Sequence, residues 1–249
     1  MAQWVEAGLW GLAGGGALVL GALVAWFLRV PRDVVAVVMA FGAGVLTAAA
    51  AFELVDEAER TGGLLATSAG FAGGAVVYVL TNVLLARRGA RHRKRSRDQP
   101  SESDQAGSGT AIAVGALLDG VPESVVLGVS LLGGGGVGAA MLAAVVISNV
   151  PEGLSSVAGM KAAGRGAGYV FGVWGAIAVA GGLAAALGNV LLDGASPQLV
   201  AVITAVAAGA ILAMVADTMI PESFERARLY TGLCLTAGFL TAFVVERLG

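Results

Sequence analysis

One cysteine, one histidine and six prolines are spread over 249 residues, and only 13% of the chain is charged. A single cysteine, Cys234, excludes an intrachain disulfide; in its apolar run it reads as a small core residue. A single histidine, His92, excludes a zinc held by several imidazoles, and with it the hydrolytic centres that depend on one. It sits among arginines and reads as solvated. No G-x-x-x-x-G-K-[ST] pattern occurs, so the chain lacks that phosphate-binding loop. Nothing in this inventory supports an enzyme.

What is present is apolar. Hydrophobic residues make up 57% of the chain and mean hydropathy is +0.84. Eight stretches approach the roughly 20 residues needed to cross hydrocarbon: 7–28, 34–54, 63–85, 110–132, 137–160, 169–192, 199–220 and 229–245. The eighth is the shortest. Gly, at 39 residues, is frequent enough to let helices approach closely. The first stretch has only Glu6 before it, with Arg29 and Arg32 after it. That polarity predicts a retained helix with its N-terminus outside, rather than a cleaved signal. Eight crossings then place thirteen of the 15 basic residues on the inner side and leave only Arg60 and Arg247 outside. Both termini are expected outside the cytoplasm of a cell (inner) membrane, with the bilayer as a partner.

Residues 87–109 open on Arg-Arg-Gly-Ala-Arg-His-Arg-Lys-Arg and pass into a Ser/Asp/Glu/Gln/Gly run. This composition predicts a disordered cytoplasmic loop dividing the membrane domain into 1–86 and 110–249. Beside an apolar span its basic half reads as a topology anchor touching anionic lipid, not as a nucleic-acid site. A weak repeat links Ala43–Ala48 in the second stretch to Ala208–Ala213 in the seventh, and Asp56-Glu57 to Pro221-Glu222. The paired stretches cross in opposite directions, as inverted repeats of transporters do.

The fourth and fifth stretches carry the chemistry. One reads Leu118-Asp119-Gly120-Val121-Pro122-Glu123-Ser124, the other Ile147-Ser148-Asn149-Val150-Pro151-Glu152-Gly153. A carboxylate at the bilayer centre costs about 3 kcal/mol on insertion scales and more in simulations. A proline there also removes a backbone hydrogen bond, freeing the carbonyls of Leu118 and Ile147. Asp119 and Glu123 share a helix face, as do Ser148 and Glu152; Asn149 is three residues from Glu152, with Ser155 and Ser156 further along. Three ionised carboxylates so close need a cation or shared protons. A divalent metal supplies the first; protonated carboxyls hydrogen-bonded across helices supply the second. Oxygen donors alone suit a hard cation or a weakly held zinc. Glu53 and Asp56, ending the second stretch, fit an entry funnel or an interface cap. Asp217 and Glu222, ending the seventh, fit an exit route or a plain helix end.

These motifs resemble those of the ZIP (Zrt/Irt-like) divalent metal transporters, closest to bacterial members. That family has eight spans, both termini outside and a variable cytoplasmic loop after the third. Its fourth span reads His-Asn-x-Pro-Glu-Gly, and its fifth carries a similar motif. Asp119 to Ser124 and Ser148 to Gly153 occupy those places; Ala43 to Glu53 and Met214 to Ser223 resemble the second and seventh spans. The resemblance implies an all-α fold of three, two and three helices. It implies import of a divalent cation by alternating access, with no cofactor and with homodimerisation. Carried over residue by residue, it makes Glu123 and Glu152 metal ligands, Asp119 and Ser148 substituted ones, and Asn149 a retained neighbour. Asp119 replaces the usual histidine and Gly120 the usual asparagine, and no acid lies between Tyr169 and Leu192. These departures put a two-metal site and a zinc preference in question. They also keep open a non-transporting metal sensor or scaffold. An intramembrane metalloenzyme is disfavoured by the lack of imidazole ligands.

Overall fold

A computed structural model describes residues 1–87, 108–132 and 139–248. The loop expected at 87–109 therefore lies, but for its two ends, outside the described residues.

Among the described residues the regular elements are helical: α1 (Gln3–Phe27), α2 (Arg32–Ala49), a π-helical turn (Ala50–Val55), α3 (Asp56–Ala86), α4 (Ser108–Val129), α5 (Ala139–Ala162), α6 (Ala167–Leu192), α7 (Pro197–Met214), a second π-helical turn (Val215–Met219), α8 (Ile220–Ala227) and α9 (Leu229–Leu248). Seven helical stretches are long and apolar enough to cross a membrane, so the chain is a multi-pass membrane protein by length and composition. Helices apolar all round suit burial in protein and lipid together. Their ends have local causes. Ser196 caps α7, its hydroxyl accepting from the Leu199 N–H at 3.3 Å, with Pro197 in the first turn. Gly164, at φ 78°, ends α5, and the Arg165 N–H closes back on the Met160 carbonyl at 3.0 Å.

The second and third predicted spans fall within one helical stretch, Arg32–Leu85, of 54 residues. Its one non-helical residue is Gly63, at φ 78° and ψ 165°, a conformation essentially confined to glycine. Among the described residues, the one non-glycine with a positive φ is Arg228, at φ 43°, between α8 and α9.

Gly63 and Arg228 are separated by the same interval as Ala43 and Ala208. The two π turns start at Ala50 and Val215, again the same interval apart. The helix pairs repeat as well. α2 packs on α9 and α3 on α7. Gly44 lies so close to the Leu235 carbonyl, and Gly238 to that of Phe41, that a side chain could not fit; Gly209 against Phe71 and Gly74 against Val206 repeat the arrangement. The short Ala/Gly match in the sequence falls at this same spacing. Gly44→Ala and Gly209→Ala should each destabilise by about 1–3 kcal/mol, the range for overpacking. The check is the apparent melting temperature in detergent against a Gly16→Ala control, where a methyl group meets nothing. Equal melting of all three would mean these contacts are looser than described.

α1 packs on α5 and α6, and α4 on α6 and α1. α5 is well enclosed: residues 151–156 are all buried, whereas α9 exposes Leu229, Leu233 and Leu240. The Pro-Glu motif of α5 therefore lies inside the protein, away from lipid.

Candidate metal site between the two proline helices

Pro122 and Pro151 each sit inside an otherwise continuous helix, α4 and α5. A proline ring removes one donor and crowds the preceding turn, so each helix offers carbonyl oxygen where an ordinary helix offers none. The acids beside these prolines are out of solvent: Asp119, Glu123 and Glu152 are 2, 2 and 3% exposed. Ser124, Ser148, Asn149, Ser155 and Ser156, on the same two helices, are buried as well. Such a polar seam in an apolar bundle is tolerated only when its members satisfy one another or a bound ion.

Each expected ligand has a distinct setting. Asp119 accepts a hydrogen bond at Oδ1 from the Tyr78 hydroxyl of α3 at 2.6 Å, and Tyr78 is itself 1% exposed. The contact is short, as charge-assisted O–H to carboxylate bonds are. Ser148 donates to the Val145 carbonyl in its own helix at 3.0 Å and faces Gly42 of α2. Asn149 points to α1, its Nδ2 donating to the Gly14 carbonyl at 3.0 Å. It lines a cavity of about 10 Å³ with Gly120, Ser124 and Gly181, a void of water size at most. A Cβ added at Gly120 would meet nothing. The asparagine that the resemblance expects there is missing, and its space is open.

Among the described residues, no group of three or more His, Cys, Asp and Glu side chains is arranged to hold a metal. A metal in the seam would draw on Ser148 and the proline-freed carbonyls as well as the carboxylates, all hard oxygen donors.

Two further groups bear on the seam. Glu222 of α8 is buried and accepts from the Ser155 hydroxyl at 3.2 Å, which ties the end of the second repeat to α5 one turn beyond Glu152. Asp217, by contrast, is exposed and accepts from Asn82 at 3.4 Å. On the opposite side, Glu53 and Asp56 open into a cavity of about 340 Å³ that reaches Val126 and Val129, the turns of α4 following Glu123. One buried Glu53 oxygen has no hydrogen-bond partner among the described residues.

Tyr78 was not legible as a site residue. A lone tyrosine in an apolar run carries no period and no motif; the only cue is a hydroxyl that must find a partner when buried. No protein-family model matches the chain, and no curated protein matches it.

Proposed function

We propose that this chain carries a divalent metal cation across the membrane toward the cytoplasm, through the polar seam between α4 and α5. The observation that carries this reading is the burial of Asp119, Glu123 and Glu152 beside two helix-interior prolines. Three buried acids with freed carbonyls are costly for packing alone and useful to a cation. The acidic cavity at Glu53 and the Ser155–Glu222 contact supply oxygen on either side of the seam.

We read the chain as eight spans in an inverted repeat, an arrangement that suits a transporter. At 1.5 Å per residue a straight Arg32–Leu85 would run about 80 Å, far beyond a hydrocarbon core of about 30 Å. We read the kink at Gly63 as a reversal that divides it into two crossings, as the break at Arg228 separates α8 from α9. We therefore read three helices, then α4 and α5, then three more, with the seam at the centre where such repeats place their substrates. Movement of α4 and α5 against the outer helices would expose the seam to each side in turn.

The test is uptake by purified protein in liposomes, with Zn, Cd, Mn, Fe, Co and Mg in competition. Ion-dependent uptake above empty liposomes supports the transporter. Metal binding without uptake favours a sensor or scaffold, for which the missing asparagine at Gly120 and the lack of a preassembled carboxylate cluster speak.

Orientation has its own check. In a Cys234→Ser background, Asp193→Cys should react with an impermeant thiol reagent from outside the cell and Ala162→Cys should not. The reverse pattern would overturn import as the direction.

A further inference from the structure

Beside α2 and α3 lies a cavity pair whose apolar half the seam does not use; its polar half shares Phe52, Asp56, Arg60 and Glu246 with the acidic cavity at Glu53. One is an apolar slot of about 480 Å³ running beside α2 and α3, from Thr47 and Phe71 to Leu64 and Glu59. The other is a polar chamber of about 340 Å³ lined by Asp56, Arg60, Glu246 and Arg247. The two adjoin, with Ala51, Val55 and Glu59 lining both. The π turn forms much of their shared wall: Ala50 faces the slot, Phe52 the chamber, Ala51 and Val55 both.

Inside the slot sits a polar group without a local partner. Thr67 is 4% exposed, and its hydroxyl makes no hydrogen bond among the described residues. Five threonines of this chain donate to the carbonyl four residues back: Thr47 to Ala43, Thr61 to Glu57, Thr81 to Val77, Thr218 to Met214 and Thr241 to Ala237. For Thr67 that residue is Gly63, whose extended ψ of 165° turns its carbonyl out of the helix. The break in the chain thus strands a buried hydroxyl about 6 Å along α3 from the turn, by helical rise. A stranded buried hydroxyl costs free energy unless something entering the slot pairs with it.

We propose that this cavity pair binds one phospholipid with a primary ammonium headgroup, of the phosphatidylethanolamine class. The apolar slot takes an acyl chain. The Thr67 hydroxyl donates to an ester carbonyl at the glycerol level, the depth its place just past the turn implies. The chamber takes the headgroup, whose two charges match its two kinds of side chain: Arg60 and Arg247 for the phosphate, Glu59 and Glu246 for the ammonium. Arg60 is already held at 2.6 Å by Asp56, and Arg247 lies over the Phe243 ring at 5.4 Å, so both guanidinium groups are oriented before a ligand arrives. An anionic headgroup would leave Glu59 and Glu246 opposed by no positive charge of the lipid. A trimethylammonium headgroup could not donate hydrogen bonds to them.

The experiment uses the full chain in nanodiscs of dioleoyl phosphatidylethanolamine and phosphatidylglycerol in equal amounts, then in phosphatidylcholine and phosphatidylglycerol. Lipid retained after mild detergent extraction is identified by native mass spectrometry. Retained ethanolamine lipid should exceed phosphatidylglycerol by at least about fivefold, a preference of about 1 kcal/mol or more. The choline mixture should show no such excess. Ala51→Trp, which fills the shared wall from an exposed position, should abolish retention, and Glu59→Lys should move the preference toward phosphatidylglycerol; both should keep the wild-type elution volume and melting temperature. Retained lipid that mirrors the bulk mixture overturns the proposal. So does an unchanged preference in both variants. If Ala51→Trp shifts the protein between dimer and monomer while retained lipid stays the same, a second copy covers this face and the proposal also fails. A variant that misfolds is replaced by Thr67→Val, which removes only the hydroxyl and should weaken retention without altering the headgroup preference.

Discussion

Glu123→Ala and Glu152→Ala are each expected to lower metal uptake by more than about tenfold at matched protein level, a loss of roughly 1.4 kcal/mol or more. Each acid follows a proline that opens its helix, and each is buried. Removing either leaves too little negative charge to offset the desolvation of a divalent ion. Carboxylates bind metal only when deprotonated, so wild-type uptake should also decline on acidification. Binding and transport should fall together in each variant. Near-normal uptake by Glu152→Ala would place the pathway elsewhere in the bundle.

The second large effect concerns Asp119. Its carboxylate is a hard donor, and Tyr78 holds one of its oxygens at 2.6 Å. A site of such donors should favour manganese, ferrous iron or magnesium over zinc and cadmium. Asp119→His brings in a nitrogen that suits zinc and cadmium better. The zinc-to-manganese ratio of apparent affinities should rise by about tenfold, or 1.4 kcal/mol. Tyr78→Phe gives a second handle on the same group. It removes only the hydroxyl, so it should weaken manganese uptake in the Asp119 protein and leave Asp119→His much less affected. An unchanged ratio in Asp119→His, or one that moves toward manganese, would mean that Asp119 is held by Tyr78 for packing and touches no metal.

Much of this molecule is legible in its sequence because the signals are chemical conflicts. A carboxylate beside a proline in an apolar stretch has few explanations, so Glu123 and Glu152 stand out before any coordinates. Helix limits followed hydrophobic length to within a few residues at most ends, since hydrocarbon thickness sets that length. Other features left no such mark. The π turn at Ala50–Val55 is an extra residue in an alanine-rich run, and neither periodicity nor propensity registers it. Gly63 breaks the helix, yet in a sequence with 39 glycines it looks like the rest. Asn149 has the right spacing to share a face with Glu152, but its amide donates to the buried Gly14 carbonyl of α1, a partner from another helix. The tie between Ser155 and Glu222 joins residues far apart in the chain, and nothing local encodes it.

The way the repeats interlock also governs how the chain can be made. α2 rests on α9 and α3 on α7, so the helices inserted first find those partners only among the helices inserted last. Synthesis runs at about 5–20 residues per second, so roughly ten seconds or more separate α2 from the arrival of α9. Through that interval the notch at Gly44, shaped for the Leu235 carbonyl, faces lipid or the insertion machinery. A chain cut short before α9 would keep that notch unfilled for its whole lifetime. Quality control in the membrane would then have a ready means of telling an unfinished copy from a finished one.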